Sequence, residues 1–369
     1  MADNDNRNNN KVSKQSRRRI AEEARRRIEL IASRIPGARA LVKPVAPEAV
    51  ADRLVVVSDT HFGNDYGALT EADKRNRLIL GIRELGQIDE LVLLGDIFDF
   101  WTTTMSDALE RARQLMAELF TLDNVGRIIY IPGNHDHHVA RLYHEEQVIK
   151  RLRAGNLEPA ALTIPLVADC AVLEPLKPKN GATVPLFMTY PWHQVRVREK
   201  TALLTHGHLL GFFERSLWRP KRRFLNAFLL KRNPSVDLED MESFLSPYYE
   251  MLSLSTAVPG VVDGRYRFYR IVSRTAKVLG FEREYRVSSF RDTTIEQNAV
   301  EIETLLDHFY EEKPDYFIYG HTHRAGMLEL PLSGTLAVNT GAWFNNPGDT
   351  AASRYTVVEI TDEPRLIDL

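Results

Sequence analysis

Five short apolar runs in this chain each end on a small or turn-forming residue and pass straight into a cluster of Asp, Asn or His. Leu54-Val55-Val56-Val57 leads to Ser58-Asp59-Thr60-His61, and Leu91-Val92-Leu93-Leu94 to Gly95-Asp96-Ile97-Phe98-Asp99. Ile128-Ile129-Tyr130-Ile131 leads to Pro132-Gly133-Asn134-His135-Asp136, Leu203-Leu204 to Thr205-His206-Gly207-His208, and Phe317-Ile318-Tyr319 to Gly320-His321-Thr322-His323. Unbroken apolar runs bounded by Gly or Pro predict strands buried on both faces. Helical patterns at 74–85 and 107–120 separate the first three runs, so the expected class is α/β. In such sheets ligands bind beyond the carboxyl ends of the strands. All five clusters stand at such ends, and residues far apart in sequence are therefore expected to meet in one site.

The donors in these clusters are carboxylate, amide and imidazole, the set that suits Mn²⁺, Fe or Zn²⁺. Their number fits two divalent metal ions sharing one carboxylate, whose two oxygens can span two cations. Two ions about 3.5–4 Å apart can clamp both the attacking and the leaving oxygen of an in-line displacement at phosphorus. They also lower the pKa of a shared water, so that hydroxide forms near neutral pH.

The five motifs, in this order and each after an apolar run, resemble the calcineurin-like metallophosphoesterases over roughly residues 52–208 and 300–345. The resemblance implies a fold of two packed mixed β-sheets flanked by helices. It implies that Asp59, His61, Asp96 and His323 hold one metal, and that Asp96, Asn134, His206 and His321 hold the other. In that pattern His135 faces the phosphate and helps the leaving group depart, and Asp99 fixes the tautomer of the His135 ring. Arg324 and His208 are candidates for contact with substrate.

A narrower resemblance lies in Gly95-Asp96-Ile97-Phe98-Asp99-Phe100-Trp101, Gly320-His321-Thr322-His323-Arg324 and Gly341-Ala342-Trp343, which look like the UDP-2,3-diacylglucosamine pyrophosphohydrolases. This chain has His135 where that group usually has Arg, and His208 where it usually has Asp. The resemblance therefore implies a metal-dependent hydrolase of a phosphodiester or pyrophosphate and leaves the substrate open, lipid-linked and nucleotide-sugar compounds included. Phosphoprotein phosphatase, cyclic-nucleotide phosphodiesterase and nuclease activities stay open as alternatives. A non-catalytic scaffold is the remote reading, because none of the seven ligand positions is missing.

Residues 209–300 break the strand-and-motif pattern and read as a helical cap inserted between 50–208 and 301–369. The stretch 209–235 carries seven basic residues and one acidic one, interleaved with aromatics. Arg219, Arg222 and Arg223, beside Trp218, Phe224 and Phe228, are candidates for binding an anionic substrate, and the cap is open to two readings, a lipid-accepting lid or a packed subdomain. Residues 1–49 read as a polar tail and a basic amphipathic helix. Ile20, Ala24, Ile28, Ile31 and Ile35 recur at helical spacing, and the helix is expected either to dock on the domain or to touch an anionic membrane.

The formal net charge of −2 gives no strong signal for nucleic acid, and the single Cys170 requires no oxidising compartment. With neither an apolar leader nor a spanning run in sight, the expected location is the cytoplasm, with the inner face of the membrane open as a peripheral site. Oligomeric state is not legible.

Overall fold

The computed structural model describes residues 12–34, 49–158, 161–168, 170–180, 183–213, 238–258, 260–264, 293–345 and 355–369. Its frame is a pair of mixed β-sheets stacked face to face with helices on both outer sides, as the family resemblance implies.

The first sheet has seven strands in the order β13-β12-β2-β3-β4-β6-β5. They are β2 (Leu54–Val57), β3 (Ile88–Leu94), β4 (Val125–Ile131), β5 (Ile164–Val167), β6 (Leu186–Tyr190), β12 (Thr356–Ile360) and β13 (Pro364–Asp368). The second has six in the order β1-β7-β8-β9-β11-β10. These are β1 (Ala49–Ala51), β7 (Trp192–Val197), β8 (Lys200–Thr205), β9 (Tyr316–Tyr319), β10 (Gly326–Glu329) and β11 (Leu336–Asn339).

Strands β2, β3, β4 and β6 run parallel, as do β8, β9 and β11. The reason for the unbroken apolar runs is visible in the alternation. Val56, Val92, Leu94, Ile129 and Ile131 point between the sheets, where they meet Val195, Leu204, Ile318 and Val338. Their neighbours Val55, Val57, Leu91, Leu93, Ile128 and Tyr130 point the other way, under helices α2 (Ala72–Glu84) and α3 (Met105–Leu119). With both faces covered, no position in these strands can be polar without cost. One exception is Glu90, buried in β3. It is met across the sheet-to-sheet layer by His193 Nε2 at 2.9 Å and along its own sheet by Arg127, so the charge is paired.

The second outer layer contains α6 (Ile295–Phe309), capped by a reciprocal Thr294–Gln297 box, and α1 (Lys14–Arg34). Helix α6 begins inside the segment read as insertion, and its Ile295, Ala299 and Ile302 pack under the second sheet. Ile20 and Ala24 of α1 are buried in the same cluster, and Arg27 pairs with Glu301 of α6 at 2.7 Å. The apolar stripe of α1 thus lies on the domain, while Arg18, Arg19, Arg25 and Arg26 face outward. Helix α4 (His138–Arg153) follows the third motif, and α5 (Leu238–Leu254) is the described helix of the inserted segment. No helix among the described residues is long and apolar enough to cross a membrane.

Candidate metal centre

Because the parallel strands of both sheets end on the same side, the five motifs converge. Asp59 follows β2, Asp96 follows β3, Asn134 follows β4, His206 follows β8 and His321 follows β9. Short backbone bonds tie the strand ends together: Asp59 N–H to Gly95 O at 3.1 Å, His61 N–H to Asp96 O at 2.9 Å, and Gly320 N–H to His206 O at 3.0 Å.

The ligand atoms of Asp59, His61 and His323 lie within 4.8 Å of one another, as do those of Asp96, His206 and His321. His61 Nε2 and His323 Nε2 are 3.1 Å apart, and His323 Nε2 is 3.3 Å from Asp59 Oδ1. Asp96 Oδ2 stands between the two groups, 3.2 Å from His206 Nε2 and 3.9 Å from His61 Nε2. His206 donates Nδ1–H to Leu94 O at 3.0 Å, which leaves Nε2 as the electron-pair donor. A third group, His61, Asp99 and His135, overlaps the first.

Two observations fit this nest to cations. Asn134 Oδ1 and His206 Nε2 are buried with no hydrogen-bond partner among the described residues, which is costly unless something positive completes them. The charge balance agrees. Burial alone would lower the His206 pKa, but the Asp96 and Asp59 carboxylates outweigh it and push the ring up to about 9. Burial would raise Asp96 and Asp59, yet neighbouring histidines, His206 foremost, hold both below the usual carboxylate range. The site demands positive charge, and divalent ions on these donors supply it.

The backbone is strained to make this nest. Asp59, His61, Asp96, His321 and His323 all adopt positive φ, between 49° and 66°, where non-glycine residues are uncommon. Close approach also explains the motif glycines: a Cβ on Gly95 would come within 2.5 Å of the His206 ring, and one on Gly133 or Gly320 would strike Asp96 or Asp59. Asp136 holds the loops together. Its carboxylate accepts from the backbone N–H of Gly133 at 2.6 Å, Asp96 at 3.2 Å, Ile97 at 2.8 Å and Phe98 at 3.3 Å. Sequence reasoning had placed Asp136 in a motif without giving it a task.

His135 sits at the rim of the nest. Its Nδ1 is 2.8 Å from Asp99 Oδ1, its Nε2 is 4.0 Å from Asp96 Oδ2, and its backbone N–H donates to Asp96 Oδ1 at 2.7 Å. Asp99 also accepts from Asn64 Nδ2 at 2.9 Å and from the Trp101 backbone N–H at 3.1 Å. Burial would raise the Asp99 carboxyl, but His135 and His61 hold it well below its ordinary range. The Trp101 ring stacks on the His135 ring with centroids 3.9 Å apart.

Arg324 is exposed on the loop after His323. His208 is buried, 3.1 Å from the Tyr190 hydroxyl and 3.8 Å from Glu242 Oε1. Arg219, Arg222 and Arg223, with Trp218, Phe224 and Phe228, lie outside the described residues.

A second charged cluster, which no motif announced, fastens α5 beside the centre. His137 Nδ1 is 2.8 Å from Glu250 Oε1 and its Nε2 is 3.3 Å from Glu242 Oε2. Glu250 also meets His138 Nδ1 at 2.6 Å, and Glu242 accepts from the Tyr190 hydroxyl at 2.7 Å. With a carboxylate at each ring nitrogen, His137 must carry both protons. Burial would lower its pKa, but Glu242 and Glu250 outweigh that and raise it from 6.5 to about 9. Burial would likewise raise the two carboxyls, but His137, with His208 and His138, holds both at about 2.

The raised histidine stabilises the fold fully below about pH 6.5 and fades as the pH climbs to about 9. The lowered carboxylates stabilise fully above about pH 4.5 and fade toward about 2. On the alkaline side the loss is on the order of 3 kcal/mol. Melting temperatures of the metal-loaded protein should therefore fall between pH 6.5 and 9.5 more steeply than those of a His137→Gln variant. Loading the centre removes the titration of His206 from the comparison. Parallel curves for the two proteins would refute the clasp.

Two stacked sheets presenting a buried carboxylate–imidazole nest for two divalent ions at their strand ends define a metal-dependent phosphoesterase. The model of the calcineurin-like phosphoesterases matches residues 52–325, and the chain belongs to that family of phosphoric ester hydrolases. Similar solved structures include a dimetal phosphatase from Danio rerio, 14% identical, covering 86% of this chain and 98% of that one, with a TM-score of 0.37. A phosphopantetheinyl hydrolase from Mycobacterium tuberculosis is 12% identical, over 86% of this chain and 96% of that one, with a TM-score of 0.27. A protein serine/threonine phosphatase from Saccharomyces cerevisiae is 10% identical, over 96% and 90%, with a TM-score of 0.30. All three likenesses are remote, and the assignment rests on the family match. No curated protein matches the chain at a significant level.

Proposed function

We propose that this chain hydrolyses a phosphodiester or pyrophosphate bond with two Mn²⁺ ions, held by Asp59, His61, Asp96 and His323 on one side and by Asp96, Asn134, His206 and His321 on the other. The observation that carries this reading is the position of Asp96 Oδ2 between the two ligand groups, 3.2 Å from His206 Nε2 and 3.9 Å from His61 Nε2. When bound, such a pair of ions polarises the phosphoryl oxygens and makes water acidic enough to attack near neutral pH.

The protein's own part lies with His135 and Asp99. Asp99 receives the Nδ1 proton and, as an anion, favours the doubly protonated ring. Nε2 then carries a proton to deliver to the departing oxygen. The Trp101 stack restricts that ring to one plane. His208, engaged with Tyr190 and Glu242, is left as a packing link, and Arg324 as an exposed partner for a phosphoryl oxygen. The basic, aromatic stretch 209–235 supports an anionic amphiphile or nucleotide-sugar substrate, and the single, buried Cys170 is consistent with a cytoplasmic setting.

Purified protein with defined metal content should hydrolyse bis-p-nitrophenyl phosphate faster than p-nitrophenyl phosphate, with Mn²⁺ the best of Mn²⁺, Fe²⁺ and Zn²⁺. A lipid-linked pyrophosphate and a nucleic acid complete the panel. Preference for the monoester would reject the diester reading, and no hydrolysis with any metal would reject catalysis altogether.

A further inference from the structure

Helix α5 brings two tyrosines to the rim of the centre. Tyr248 and Tyr249 lie 6.3 Å and 5.8 Å from the Trp101 ring, and 6.1 Å from each other. Trp101 itself stacks on His135, so the three rings continue outward from the residue placed at the leaving oxygen. Their roles differ. Tyr249 is buried and wedged among Trp101, His137 and His208, at 5.5 Å and 5.7 Å from the two histidines. Tyr248 is 41% exposed and stands at 78° to Trp101. Trp101 is half-buried.

Two rings at nearly a right angle, one partly exposed and one half-buried, make a corner. A planar ring entering it stacks on one wall and turns its edge to the other, the two arrangements aromatic pairs prefer. A flexible acyl chain would gain only area from the same corner. The wall is also held rigidly. Glu242 and Glu250 anchor the helix to His137 and His138 on either side of the tyrosine pair, so little ordering has to be done on binding.

We propose that Trp101, Tyr248 and Tyr249 form a subsite for an aromatic ring, an aryl group or a nucleobase, carried on the leaving side of the phosphoester. This rests on the hydrolase reading above and narrows it to substrates with a planar ring near the scissile bond.

The test uses binding of two non-hydrolysable phosphonates to the full-length, Mn²⁺-loaded protein by titration calorimetry. In benzylphosphonate and butylphosphonate a CH₂ replaces the ester oxygen, and the charge is the same. The native protein should favour the benzyl compound by roughly tenfold, the worth of one or two well-placed aromatic contacts. Tyr248→Ala should shrink that preference to about threefold or less by raising the Kd of the benzyl compound alone, and Tyr248→Phe should keep it. Tyr248 is partly exposed, so both variants are expected to fold, and melting temperatures check this. Equal affinities in the native protein, a preference untouched by Tyr248→Ala, or equal weakening of both ligands would each overturn the subsite. Hydrolysis of bis-p-nitrophenyl phosphate is recorded on the same samples. Preference without hydrolysis under any metal would reject the hydrolase reading and leave the ring subsite standing; hydrolysis without preference would do the reverse.

Discussion

An Asp96→Asn protein is expected to lose metal from both positions and to lose at least about 10³-fold in kcat/KM, since electrostatic stabilisation by such a centre is usually the largest share of catalysis. The substitution is nearly isosteric. It keeps an oxygen to accept the His135 N–H, now 2.7 Å from Oδ1, so the loop has no reason to collapse. What it removes is the anion. The carboxylate is fully buried, and burial alone would favour its neutral form; His206 and His135 overcome that and hold it charged. An amide cannot offer negative charge to two cations through one side chain. Metal analysis of the purified variant should show well under the two ions per chain expected of the parent. A variant that keeps one tightly bound ion and full activity would disprove the shared carboxylate.

Replacement of His135 tests a different link. His135→Gln should keep both metals, because the ring is placed beside the ligand groups and not within either proposed set. Turnover of substrates with poor, alkoxide-like leaving groups should fall by about 10²–10⁴-fold, the usual worth of a general acid. For p-nitrophenyl esters, whose leaving group departs without a proton, the loss should nearly vanish. Asp99→Asn should reproduce the same pattern more weakly, since Asp99 acts through the ring it holds at 2.8 Å. Equal losses for good and poor leaving groups would remove the proton-donor role and leave His135 as an electrostatic contact.

Much of this was legible in the sequence because the cause was local. Leu54-Val55-Val56-Val57 and its counterparts are apolar at every position because both sheet faces are covered, and that condition shows in a single short string. The glycines that flank the ligands are written in the motifs because no Cβ fits beside His206, Asp96 or Asp59. The edge and mixed strands were harder. Trp192–Val197 mixes polar and apolar residues, and Pro364–Asp368 has only its pairing with β12 to define it, so neither carries a strong signal by itself.

By itself, the sequence determined that the chain is an α/β metallophosphoesterase and which seven side chains are candidates to meet at its centre, because strand ends, donor types and glycine positions are properties of short segments. Only the tertiary structure decided what surrounds that centre. His137 and Glu250 are 2.8 Å apart in space and lie in separate helices, and nothing in the spacing of either signals the other. Asp136 became a clamp on four backbone amides, and Trp101 met two tyrosines of a distant helix, for the same reason. The docking of α1 was settled by an apolar face on α6 that the helix's own periodicity could not reveal. Pairings of this kind depend on how layers stack, and stacking is fixed by the sum of many buried surfaces rather than by any one segment.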